Sequence, residues 1–175
     1  MSGYLKEGAV DLFMTYKFIR LLTTKWNKTE AFKTGVIDKN GKLLVKGKDQ
    51  TEKQKKSYQL FDKMVFNIKR ILEKVPFGKS QIASYAAALF LLKEETGMAE
   101  EDLIKVLEDL GHDTSIDLNE EFKEIHMGEY ILNHDLMESK KGTIVNLNNI
   151  EPVGQFAGVP IYKTQENIFI SINNI

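Results

Sequence analysis

Residues 77–93, FGKSQIASYAAALFLLK, are the least polar run in the chain and leave little freedom in how the rest can fold. Ala83, Ala86, Ala87 and Ala88 favour helix strongly, Ser80 is a good N-cap, and Gly78 supplies the turn before it. Ile82, Tyr85, Ala86, Leu89 and Leu92 recur at three- and four-residue steps, while Ala87, Phe90 and Leu91 add apolar surface on the other sides. A helix with so little polar surface belongs inside. A central core helix is therefore expected, with its exit at Glu94, Glu95 and a C-capping Gly97.

The elements before it read as its neighbours. Val10, Phe13, Met14, Lys17, Phe18 and Leu21 form an apolar stripe with basic edges, which predicts a first helix over 8–24. Trp26 follows in a polar stretch, where a lone large aromatic serves as a lid on the core. Residues 35–45 read as a hairpin, since Val36-Ile37 and Leu43-Leu44-Val45 flank an Asn40-Gly41 turn. Residues 46–56 are lysine-rich and read as a mobile loop running into a frayed helix start. The periodicity of Tyr58, Phe61, Met64, Val65, Ile68, Ile71, Leu72 and Val75 predicts one helix over 51–74, stopped by Pro76. Residues 99–110 predict a fourth helix with Leu103, Val106, Leu107 and Leu110 buried and Gly111 closing it.

Beyond His112 the period changes. A short helix is expected near 118–126, and strands are expected at 130–133, 143–147, 153–156, 159–163 and 168–172, separated by Gly, Asn and Pro. The fold class expected is α+β: an N-terminal bundle of three or four helices plus a hairpin over 1–111, and a small β subdomain, one sheet or barrel, over 112–175.

The net charge of −1 conceals a division. Up to Lys93 there are 19 Lys and Arg against 8 Asp and Glu; beyond it there are 5 against 17. A basic half can approach polyanions, two such chains can associate head to tail, or the halves can dock on each other. The absence of cysteine excludes disulfides, thiolate metal sites and thiol nucleophiles. The longest apolar run, 86–92, falls far short of the roughly 20 residues of a membrane span.

No catalytic, metal or cofactor set emerges. Gly78-Lys79-Ser80 resembles the end of a phosphate-binding P-loop, but the pattern requires glycine where Glu73 stands and a strand where a helix is expected. His112, His126 and His134 lack metal-ligand spacing, and the doublets Glu94-Glu95, Glu100-Glu101 and Glu120-Glu121 diverge on a helix. The candidate binding residues are basic: Lys53, Lys55 and Lys56 of the lysine-rich segment, Lys63 and Arg70 seven apart on one helix face, and Lys79 at a helix start. The aromatics on these helices fall on the buried stripes, so contact would be to phosphate backbone rather than by stacking.

The segments YKFIRLLTTKW, KTEAFKTGVIDKNGKLL and VFNIKRILEKVPFGKSQIASYAAALFLLKEE, within residues 16–95, resemble small proteins encoded by tailed bacteriophages, in particular contractile-tailed marine ones. The resemblance carries no catalytic motif. It implies a non-enzymatic structural or head-assembly role, located in the virion or host cytoplasm, with other phage structural proteins or further copies of the chain as partners. The alternative is a nucleic-acid-associated phage factor that binds phosphate backbones through the basic half.

Overall fold

The structure is a computed structural model in which residues 2–74, 82–115 and 124–175 are described, with side chains from residue 12 onward. The described residues form six helices followed by two small antiparallel sheets, an α+β arrangement. The helices are α1 (Ser2–Thr23), α2 (Glu30–Lys33), α3 (Glu52–Ser57), α4 (Leu60–Lys74), α5 (Ile82–Thr96) and α6 (Glu100–Asp109). The strands are β1 (Gly128–Ile131), β2 (Ile144–Leu147), β3 (Gly154–Phe156), β4 (Val159–Lys163) and β5 (Phe169–Ile170). No helix among the described residues is long and apolar enough to cross a membrane.

The central position of α5 follows from its composition. Ile82, Tyr85, Ala86, Leu89 and Leu92 are buried, α4 lies on one side, and β3, β4, β5 and a 3₁₀ turn at Ile172–Asn174 lie on the other. Its alanines let both layers approach closely. At Gly154 of β3 a Cβ would stand 2.4 Å from the Phe90 ring, so only glycine fits there. One apolar cluster runs from Phe18 through α4, α5 and α6 to Val145, Phe156, Ile161 and Ile170, crossing the basic and acidic parts of the chain. The helix continues to Thr96, three residues past Lys93, so Glu94 and Glu95 lie within it, and Gly97 ends it at φ +71°.

Several expectations are corrected. The single helix over 51–74 is two, α3 and α4, because Tyr58 turns out of helical geometry (φ −140°, ψ 64°) to stack on Phe66 at 6.1 Å. The Asp62 carboxylate then accepts the Gln59 N–H (2.9 Å) and starts α4 afresh. Residues 46–56 are not a mobile loop with a frayed helix start. They form a 3₁₀ turn (Gly47–Asp49) and then α3, which opens with a Thr51–Gln54 capping box. The Gln50 and Gln54 side chains donate to the Val45 and Thr34 carbonyls. Phe13 is 64% exposed because the inner side of α1 is built from Met14, Phe18, Leu21 and Leu22. Leu110 is exposed because it falls just past the last turn of α6.

All five expected strands are present, but they make two sheets rather than one sheet or barrel. The β1–β2 ribbon pairs Ile131 with Ile144, and β3–β4–β5 forms a separate meander. Strands of two to five residues are too short to close a barrel. Glu166 joins the two sheets by accepting the Asn146 backbone N–H (2.9 Å) and side-chain N–H (2.7 Å), which holds its carboxyl down at about 2. The Ser80 cap, Lys79, the stop at Pro76 and most of the helix expected near 118–126 lie outside the described residues.

Candidate functional site

Helix α4 carries Lys63, Asn67, Arg70 and Lys74 at four-, three- and four-residue steps, which place them along one side. Two chain segments cover that side. The first is the hairpin, bridged between Ile37 and Leu43, whose turn is fixed by the Asp38 carboxylate accepting the N–H groups of Asn40 (2.8 Å) and Lys42 (2.9 Å). These bonds, the Lys42 one foremost, hold the Asp38 carboxyl below its ordinary range. The second is the 135–141 loop. Buried Asn67 pins it, donating to the Asp135 carbonyl (2.8 Å) and accepting the Met137 N–H (3.1 Å). The Asp135 carboxylate closes the loop on the Lys141 N–H (2.7 Å).

Between these walls lies a cleft of about 430 Å³. Lys42, Arg70, Lys74, Lys140 and Lys141 line it, together with the acids Glu73, Asp135 and Glu138. The acids are engaged: Glu73 takes the Trp26 Nε1–H on both oxygens (2.9 and 3.0 Å), Glu138 pairs with Lys63 (3.2 Å), and Asp135 holds the loop. Arg70 donates from Nε to the Gly41 carbonyl (2.7 Å), but its Nη2 is buried without a partner. His134, beside this cleft, is held below its ordinary pKa by burial and then by the charges of Lys74 and Lys141, which outweigh Asp135. An adjoining apolar pocket of about 340 Å³, which shares Met137, Glu138 and Ser139 with the cleft, runs on between α4 and α5 towards Leu91 and Phe169.

The five candidate residues that are described do not form one surface. Lys53, Lys55 and Lys56 are exposed on α3 and line neither cavity, and Lys55 pairs locally with Glu52 (3.7 Å). Lys63 lines the apolar pocket, Arg70 lines the cleft, and Lys79 lies outside the described residues. Lys69, a further basic residue of the same helix, is buried: it donates to the Thr24 carbonyl and lies 4.2 Å from the Trp26 ring centre. Sequence reasoning passed over Asn67, Lys74, Lys140 and Lys141. The available signals were one amide within an apolar helix and one basic doublet in an acidic half.

A second surface is on α1. Leu12 (74% exposed), Phe13 (64%), Tyr16 (62%) and Ile19 (37%) lie on the side away from buried Phe18. Among the described residues no three His, Cys, Asp or Glu side chains are grouped to hold a metal ion. Three of the five ion pairs recorded among them cross between the basic and acidic parts: Lys63–Glu138, Lys74–Asp135 and Lys93–Glu100. The chain is thus partly docked on its own opposite charge. Compared with known protein families, curated proteins and solved structures, it matches none of them.

Proposed function

We propose that the chain is a non-enzymatic bacteriophage structural or head-assembly protein that works by protein–protein contacts in the virion or its precursor. The observation that carries this reading is the exposed apolar side of α1. A solvent-facing row of Leu12, Phe13, Tyr16 and Ile19 on a helix already packed through Phe18 marks a surface made to be covered by another protein. The resemblance of residues 16–95 to tailed-phage proteins supplies the setting, with neighbouring virion proteins or further copies as partners. Mass spectrometry of purified virions and precursor heads of the encoding phage should detect the chain. Its absence from both ends the reading.

A second reading, contact with nucleic-acid backbones, is favoured by the exposed Lys53, Lys55 and Lys56 on α3. Phosphate contacts predict binding that falls steeply with salt. Titration with DNA and RNA at two salt concentrations tests it, and no binding at low salt rules it out.

A further inference from the structure

We propose that the cleft between α4, the hairpin turn and the 135–141 loop is a binding site for a phosphoryl group carried on a small organic body. This inference stands apart from both readings above, since it uses neither the α1 surface nor the α3 lysines.

The charge distribution is the first argument. Five cationic side chains face three acids across the cleft, and each acid already has a partner on the protein. Of the cations, Lys42, Lys140 and Lys141 have no ion pair among those recorded, and Lys74 reaches Asp135 only at 3.9 Å. The cleft therefore carries an excess of positive charge, which a phosphoryl dianion offsets more fully than a single carboxylate.

The geometry of Arg70 is the second argument. Its Nε is spent on Gly41, which fixes the guanidinium plane, and its Nη2–H groups are buried with no acceptor. A buried donor left unmet is a standing deficit, and since Nη2 has no exposed surface an acceptor bound in the cleft meets it with a shift of the Arg70 side chain. Guanidinium forks match phosphate oxygens, and flanking lysines add point charges.

The third argument is room. A cleft of about 430 Å³ exceeds what one phosphoryl group fills, and the apolar pocket beside Leu60, Ala87, Ala88 and Ile168 shares the wall of Met137, Glu138 and Ser139 with it. An uncharged organic portion attached to the phosphate has room within the cleft itself. A free nucleotide and the end of a polynucleotide both present this chemistry.

Calorimetric titration of the full chain at low salt with inorganic phosphate, a nucleoside monophosphate and a 5′-phosphorylated oligonucleotide tests the site. All three should bind, and Lys140→Glu/Lys141→Glu, on two exposed side chains, should weaken each at least tenfold without changing the melting curve. Lys53→Glu/Lys55→Glu/Lys56→Glu should leave phosphate and monophosphate affinity unchanged, which separates this site from the nucleic-acid reading. Tighter binding of the oligonucleotide identifies a polynucleotide end as the source, and tighter binding of the monophosphate identifies a free nucleotide. If none of the three binds, or if binding survives Lys140→Glu/Lys141→Glu, the proposal is wrong.

Discussion

Around α5 the buried side chains are mostly aliphatic or aromatic and touch mostly one another, whereas around Trp26 three of the six buried residues are aromatic and charges crowd their rings. The small cluster of Trp26, Ala31, Val36, Ile37, Tyr58 and Phe66 has Lys69 and Arg70 against the indole at 4.2 and 5.6 Å, Glu73 on the indole N–H, and Lys63 5.6 Å from the Tyr58 ring centre. The large core rests mainly on shape and apolarity, with a few buried polar ties such as Asn174 Nδ2–H to the Ser84 carbonyl (2.8 Å). The small one cannot hold by area alone and is fixed by hydrogen bonds and cation–π contacts. Damage to the first should spread through the molecule, while damage to the second should stay local and depend on charge.

The sharpest test of that contrast is Leu89→Ala, which opens a cavity where α4, α5 and the strands meet. It should cost about 2–5 kcal/mol in urea unfolding, and an unchanged midpoint would remove α5 from the centre. Gly41→Ala comes next. Its Cβ would stand 2.6 Å from the Trp26 ring at a φ of +80°, and overpacking of this kind costs about 1–3 kcal/mol. Because Trp26 is the sole tryptophan, its fluorescence reports the small core directly and should shift more than the global circular dichroism.

Glu73→Ala, which removes the acceptor of the Trp26 N–H, should cost about 1 kcal/mol and move the tryptophan emission. An unmoved emission would mean that charge does not hold this core. The smallest effect is expected from Tyr85→Phe. The Tyr85 hydroxyl is buried without a partner, so its loss should be neutral or slightly stabilising near neutral pH.

Alkaline pH divides the same two regions by sign. Burial pushes the Tyr85 hydroxyl up to about 12 from 10, so the unfolded chain ionises first, and this group's contribution to stability falls as pH rises from 10 towards 12. Burial lowers the Lys69 ammonium below its ordinary value of 10.5. Between its folded pKa and 10.5 the unfolded chain therefore holds more protons, and this group's contribution rises with pH. Stability curves from pH 8 to 11.5 should show the Tyr85→Phe protein losing less than the parent at the alkaline end. Parallel curves would mean that the hydroxyl is not desolvated.

What was legible in the sequence divides along the same line. The alanine and leucine spacing of 82–92 identified the central helix, and period-two runs identified the five strands, because both signals are apolar and local. The break at Tyr58 was invisible to periodicity: Tyr58 and Phe61 keep helical spacing, yet the Tyr58 ring is needed on Phe66. The candidate cleft was half legible. Lys63 and Arg70 share a helix face by spacing, but what lies opposite them depends on Asn67 binding residues 135 and 137, a pairing that no local pattern announces. Charge counting by halves also misled at Lys140 and Lys141, since an acidic average hides a basic doublet placed by one loop.

The pin at Asn67 also bears on the order of folding. It ties α4 to partners 68 and 70 positions along the chain, so the wall carrying Lys140 and Lys141 is set only after a long loop has been closed. Closing a loop of that length costs entropy before its contacts repay it. We therefore expect the cleft to be set in the finished fold rather than in the nucleus, with φ-values at Asn67 near zero as the check. A ligand held there should leave the refolding limb of a chevron in place and lower the unfolding limb, so that its benefit is read as residence time in the native state.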